Sequence, residues 1–239
     1  MKLYKTRAIE AHRGARGLVQ FENTIEAFQK AIEVGADGIE LDLRKTKDGV
    51  IVIRHNPDYN GELLANMTYN ELLTKTKKDG FIIPTLEETL KFCKGKTFLD
   101  IELKESGYEE EIINIVLKHL TYDEFYIRSF IKRTIKKVKK LDSNIKTILL
   151  LGVTKARFSI FSRLAEIFPL FLILYTKCDI VSPHRLVFRF FYHARMKLLR
   201  KPVIVWTVNS EKELDKLLNI KKVDAIITDF PDIAVKIRK

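Results

Sequence analysis

Residues 8–43 read AIEAHRGARGLVQFENTIEAFQKAIEVGADGIELDL. Residues 8–11 form a short apolar-rich run of strand character. From Thr24 the spacing changes: Ile25, Phe28, Ala31 and Ile32 fall on one face of a helix over 24–34, which Thr24 caps and Gly35 stops. Residues 38–43 then alternate apolar and acidic side chains, the period of a second strand. Strand, helix and strand in this order make a β-α-β unit with parallel strands.

The same alternation continues outward. Further strand candidates are 50–53, 97–103, 125–129, 147–151, 179–182, 203–208 and 225–228. Helical periodicity occupies 85–92, 108–119, 132–141, 158–167, 188–199 and 211–218. Thr85-Leu86-Glu87-Glu88 after Pro84 is a capping-box pattern. Eight or so strands in 239 residues favour a closed barrel over an open sheet, since a TIM barrel takes about 250 residues. The expected fold is α/β, a single (β/α)8 TIM barrel over residues 1–239. A short rim insertion, 56–83, follows the third strand; it is polar and weakly periodic and leaves the cleft open. The link 44–49 is too short for a helical crossover, so 50–53 is either a hairpin partner or the end of an extended crossover.

Composition narrows the class. The net charge of +12 attracts anions such as phosphodiesters, nucleic acid or a membrane face, or is general solvation. Two cysteines, Cys93 and Cys178, offer neither a zinc pattern nor a disulfide framework, which fits a reducing, cytoplasmic compartment. There is no room for a signal peptide before His12, and the apolar run 167–175 falls far below the roughly 20 residues of a membrane span.

The residues with chemistry crowd the predicted strand ends. Glu40 and Asp42 are two apart on one strand and share a face; Glu102 ends another strand. Three carboxylates repel unless a cation sits between them, and three oxygen ligands suit Mg²⁺ or Ca²⁺, with Mn²⁺ also compatible. His12 and His55 each follow a strand, and two imidazoles suit the two proton transfers of phosphodiester cleavage. Arg13 and Lys104 can face phosphate oxygens as a fork and a point charge. Trp206 is either an apolar wall of the cleft or barrel core.

The ordered segments Ala11-His12-Arg13-Gly14-Ala15, Glu22-Asn23-Thr24, Glu40-Leu41-Asp42, Thr46-Lys47-Asp48-Gly49, His55, Glu102-Leu103-Lys104, Ser129-Phe130, Trp206-Thr207-Val208-Asn209 and Ile227-Thr228-Asp229-Phe230-Pro231 resemble the glycerophosphodiester phosphodiesterase family. That family belongs to the phosphatidylinositol-phospholipase-C-like phosphodiesterases. The resemblance implies a hydrolase that turns a small-molecule glycerophosphodiester into glycerol 3-phosphate and an alcohol. It implies one divalent cation on Glu40, Asp42 and Glu102 and an acid–base pair of His12 and His55. Arg13, Lys104, Glu22 and Trp206 would meet phosphate or substrate, with Asn23 and Asp229 as structural supports.

Two positions depart from the pattern: Phe21 stands for the usual proline and Asn56 for the usual aspartate. Little family wording survives in 155–201, where Phe158, Phe161, Phe168, Phe171, Phe188, Phe190, Phe191 and Tyr192 interleave with Arg157, Arg163, Arg185, Arg189, Arg195, Lys197, Arg200 and Lys201. Most of these aromatics are expected to pack on the barrel; the alternative is peripheral membrane contact. Alternative functions are a lysophospholipase D-type hydrolase and a non-enzymatic anion-binding barrel. No nucleic-acid-binding wording occurs, and oligomeric state is left open.

Overall fold

A computed structural model describes residues 7–152, 160–188 and 191–239. Eleven strands occur among them: β1 (Ala8–His12), β2 (Gly38–Lys45), β3 (Ile51–Ile53), β4 (Asp58–Tyr59), β5 (Glu62–Leu63), β6 (Phe98–Leu103), β7 (Phe125–Ser129), β8 (Thr147–Leu151), β9 (Ile180–Pro183), β10 (Ile204–Val205) and β11 (Ala225–Thr228). Eight run parallel in the order β10-β11-β1-β2-β6-β7-β8-β9. Parallel bridges Val181–Val203 and His184–Trp206 join β9 to β10 and close the ring. The expected (β/α)8 barrel is therefore present.

The ambiguous segment 50–53 is a hairpin: β3 pairs antiparallel with β2, Leu43 opposite Ile53, and takes no place among the parallel strands. Helices α1 (Ile25–Glu33), α2 (Tyr69–Lys78), α3 (Leu86–Cys93), α4 (Glu109–His119), α5 (Lys132–Leu141), α6 (Ile160–Ile167), α7 (Leu170–Thr176), α8 (Tyr192–Leu198), α9 (Glu211–Asp215) and α10 (Pro231–Ile237) accompany the strands. Helix α9 runs on as a wider π-helical turn, Lys216–Lys221. The Thr24 side chain accepts the Ala27 N–H, and Thr85 with Glu88 forms a full capping box. The weak periodicity of 56–83 conceals α2, which its own capping box, Thr68 with Glu71, starts. With the β4–β5 hairpin, α2 covers a separate small core of Val52, Tyr59, Leu64, Met67, Leu72 and Ile83. Lys155, Arg157, Phe158, Arg189 and Phe190 lie outside the described residues, as do the side chains of Phe161 and Arg163.

Alternation sorts each barrel strand into an apolar outer face and a mixed inner face. On β2, Ile39, Leu41 and Leu43 join Phe28, Leu90, Ile101 and Val116 in the layer between sheet and helices. The inner floor is apolar, from Ala8, Tyr126, Ile148, Ile180, Ile204, Ala225 and Ile227. Above it the axis turns ionic. Arg128, wholly buried, donates to Asp100 Oδ2 at 2.7 Å and to Ser182 Oγ at 2.8 Å, and its Nη1 lies 3.9 Å from Glu10 Oε2. These partners come from β6, β9 and β1, so one guanidinium spans the lumen. Burial raises the Asp100 carboxyl well above its usual range; Arg128 opposes this, and neighbouring Glu10 adds to it. Removing one member of a buried ionic set costs about 3–5 kcal/mol. Arg128→Ala should therefore lower the urea-unfolding free energy by about that amount; a loss under about 1 kcal/mol would show that the lumen does not depend on this guanidinium.

Candidate active site

Strand register builds the centre. His12 on β1 lies opposite Glu40 on β2, and Asp42 opposite Glu102 on β6. His12 and Glu102 lie at the C-terminal ends of β1 and β6, where barrel sites form, and Glu40 and Asp42 stand beside them on the longer β2. Glu40, Asp42 and Glu102 are buried, and each offers one oxygen within 4.8 Å of the others. Lys104 continues from β6 and sets its Nζ 2.9 Å from Asp42 Oδ1 and 2.8 Å from Glu102 Oε1. Ser129 ties the ends of β6 and β7 together by donating to the Leu103 carbonyl at 2.7 Å.

The loop after β1 supplies a second cation. Arg13 Nη1 donates to Glu22 Oε1 at 2.8 Å, and its Nε lies 3.3 Å from Asp42 Oδ2. Its backbone N–H donates to Glu40 Oε2 at 3.1 Å. That geometry needs a left-handed backbone, with φ of 54° at Arg13 and 57° at Asn23, conformations found at strained functional turns. Gly14 follows with φ of 80°, and a Cβ there would stand 2.7 Å from Ala27. Asn23 Nδ2 donates to Asp42 Oδ2 at 2.9 Å.

His12 Nδ1 lies 2.6 Å from Asp229 Oδ1, and its Nε2 is 4.0 Å from Glu40 Oε2. Asp229 is anchored in turn: Asn209 Nδ2 donates to its Oδ2 at 2.6 Å, and Asn209 Oδ1 accepts its backbone N–H at 2.9 Å. The late motifs Trp206–Asn209 and Ile227–Pro231 thus converge on the first histidine. His55 arrives by another route. The β2–β3 hairpin folds the chain back, so that the Arg54 N–H donates to the Asp42 carbonyl at 2.8 Å. Arg44 holds the turn by donating to the His55 carbonyl through Nη2 at 2.9 Å and to Glu105 at 2.6 Å. The His55 ring contacts Asn56 through Nδ1, 2.9 Å from Oδ1.

The electrostatics follow from burial and crowding. Burial, then the charge of Asp42, pushes the Glu40 carboxyl well up. Burial acts in the same sense on Asp42, but Lys104, Arg13 and His55 outweigh it and hold that carboxyl far below the usual range. Burial lowers the His55 imidazole; Asp42 resists, while Lys104 and Arg13 push it further down. Three hard oxygen donors in a buried cluster, with one carboxyl driven toward its neutral form, fit a divalent cation such as Mg²⁺ or Ca²⁺. Its binding would replace repulsion by attraction.

Trp206 follows the C-terminal end of β10. Its Nε1 donates to the Ser182 carbonyl at 2.8 Å, and its ring meets His184 and Phe130 edge-on. It is half-buried and rests on the apolar barrel floor. Sequence reasoning passed over Arg16, Arg54 and Phe81. Arg16 Nε is 2.7 Å from Glu22 Oε2, and Phe81 from the rim stacks on Phe21 at 4.5 Å. Together with Gln20 and Glu22 these residues line a cavity of about 360 Å³ beside the Arg13 loop. Adjacency to His55 and Glu22 was the only sequence signal for them. A larger cavity of about 570 Å³, lined by Phe188, Tyr192, Lys197 and Leu217 among others, contains none of the converging carboxylates or site histidines.

With this geometry in view, the comparisons with known proteins agree. Residues 12–233 match the glycerophosphoryl diester phosphodiesterase family. The chain is 32% identical to a glycerophosphodiester phosphodiesterase of Bacillus altitudinis, covering 97% of this chain and 98% of the relative. It is 29% identical to one from Caldanaerobacter subterraneus, over 95% and 96% of the two chains. It superposes on the crystal structure of a glycerophosphodiester phosphodiesterase from Thermotoga maritima with a TM-score of 0.79 at 26% identity, covering 98% of this chain and all of the other. An Oleispira antarctica phosphodiesterase, solved with its product sn-glycerol-3-phosphate, has the same fold, with a TM-score of 0.79 at 23% identity over 97% and 96% of the chains. The family match spans nearly the whole barrel, and the chain belongs to the glycerophosphoryl diester phosphodiesterase family.

Proposed function

We propose that this chain acts as one catalytic domain that hydrolyses glycerophosphodiesters to glycerol 3-phosphate and an alcohol, with His12 and His55 moving the protons. The observation that carries the reading is the register-built cluster of Glu40, Asp42 and Glu102 beside His12, Arg13 and Lys104. A divalent cation held by Glu40, Asp42 and Glu102 would polarise the phosphoryl oxygens.

The histidines have different partners, and this suggests different roles. The Asp229 carboxylate accepts from His12 Nδ1–H, which leaves Nε2 as a proton acceptor and stabilises the imidazolium that forms. His12 is then the base that takes the proton from the glycerol 2-hydroxyl as that oxygen attacks phosphorus. Internal attack benefits from high effective concentration. His55, which faces the neutral Asn56 amide and is disfavoured as a cation by burial, is the better proton donor to the leaving alkoxide. Water then opens the cyclic phosphate with the two roles exchanged. Arg13 and Lys104 stabilise charge on the non-bridging oxygens. Glu22 holds the Arg13 fork, Asn23 and Asp229 brace the acids and the base, and Trp206 walls the glycerol side. The two buried free cysteines suit a reducing cytoplasm.

Turnover should stop in excess chelator and return with Mg²⁺, Mn²⁺ or Ca²⁺; full activity without a divalent ion would overturn the role of the three carboxylates. His12→Ala and His55→Ala should each lower kcat on an alkyl diester by at least about 10²-fold. An aryl diester, whose leaving oxyanion needs no proton, separates the roles. His55→Ala should recover most of its rate on that substrate while His12→Ala stays impaired; the reverse pattern would exchange base and acid.

A further inference from the structure

The positive charge of the chain is not spread over it. Residues 132–201 hold 17 lysines and arginines against three acids, whereas the remainder holds 26 against 28. This segment also exposes its apolar side chains. The expectation that its aromatics pack on the barrel holds for Tyr192, which is buried, and fails for Phe168, Phe171 and Phe191, which are exposed. Leu172, Ile173 and Thr176 of α7 face the barrel. The opposite face of the same helix exposes Phe171 by 74%, Leu174 by 67% and Leu170 by 50%, and Phe168 just before it by 58%. A short helix that is apolar on both faces has covered only one of them among the described residues.

Cations frame this outward face. Lys136 on α5 sets its Nζ 4.3 Å from the centre of the Tyr175 ring. Its helical neighbours Lys132 and Lys140, four residues away on either side, are also exposed, and no ion pair among the described residues engages any of the three. On the other flank the Arg195 guanidinium lies 4.3 Å from the Phe168 ring. Arg133 and Lys137, on the adjoining stripe of α5, are occupied with Ser106 and Glu109.

We propose that the α6–α7 face, with the lysine row of α5, docks this enzyme on an anionic lipid bilayer. Phe168, Leu170, Phe171 and Leu174 enter the headgroup–acyl boundary while Lys132, Lys136 and Lys140 meet anionic headgroups. Charge selects this partner over a second copy of the chain, which would set one lysine row against another. The aliphatic side chains select it over nucleic acid, whose phosphate backbone gives leucine nothing to bury against. None of these residues belongs to the proposed active site, so the inference stands apart from the reaction.

Co-sedimentation tests it, with vesicles of phosphatidylcholine alone, vesicles enriched in phosphatidylglycerol, and duplex DNA in parallel. The wild-type protein should bind the anionic vesicles at low salt, lose binding as salt rises, and bind neutral vesicles weakly. Phe171→Asp with Leu174→Asp should weaken vesicle binding by at least about 30-fold, and each of Lys132→Gln, Lys136→Gln and Lys140→Gln by about fivefold. All variants should keep the wild-type rate on a soluble glycerophosphodiester, which verifies their fold. Absence of binding to anionic vesicles at low salt would overturn the proposal. So would variants that bind like wild type, or binding of DNA without vesicles.

Discussion

Acidic side chains crowd the axis of this barrel, and the way they are compensated organises the rest. Glu10 and Asp100 gather around Arg128, and Glu40, Asp42 and Glu102 form a second group, all with almost no solvent contact. An ionised carboxylate in such a place must be paired or lose its charge. In the first group Arg128 bonds Asp100 and approaches Glu10, so one central cation serves both carboxyls. In the second the cations are shared out unevenly. Lys104 is divided between Asp42 and Glu102, and Arg13 between Asp42 and Glu22, so Glu40 is left with a backbone N–H and a histidine. The incomplete neutralisation of that group leaves three carboxylates between which a cation would fit, while the ionic pairs around Arg128 link the walls.

Much of this was legible from the sequence because it depends on local periodicity. Glu40 and Asp42 share a face because strands alternate, and the outward Ile39, Leu41 and Leu43 mark the same strand as buried. The strand–helix rhythm therefore gives the barrel, and residues at strand ends give the site. What stayed hidden depends on long-range closure. Asp229 is expected as a structural support, but its partner is visible only once β11 pairs with β1 and brings its carboxylate to His12. Arg128 reads as an ordinary basic residue on a strand, since nothing near it in sequence reveals partners on β1, β6 and β9. Helix α2 escaped notice because its polar surface and small buried face, Leu72 and Thr76, give weak periodicity.

The β2–β3 hairpin shows how a small departure from the regular repeat serves the site. A helical crossover after β2 would carry the chain down the outside of the barrel. The tight return instead keeps residues 54–56 at the mouth, where Arg54 bonds the Asp42 carbonyl and Arg44 fixes the His55 carbonyl. Two histidines from distant positions thus reach one carboxylate cluster, one braced by an acid and the other by an amide. The outer helices are free of these demands, and α7 diverges there without disturbing the barrel, because its inner Leu172 and Ile173 still complete the packing.

Glu40, Asp42 and Glu102 form an undercompensated cluster that a divalent cation would complete. Thermal unfolding with and without added Mg²⁺, Ca²⁺ or Mn²⁺ tests this most directly, because an ion that binds only the folded state must raise its stability. The melting temperature of the wild-type protein should rise with saturating ion, and that rise should vanish in Glu102→Gln and Asp42→Asn. A wild-type protein indifferent to all three ions, or variants that keep the full shift, would contradict the account.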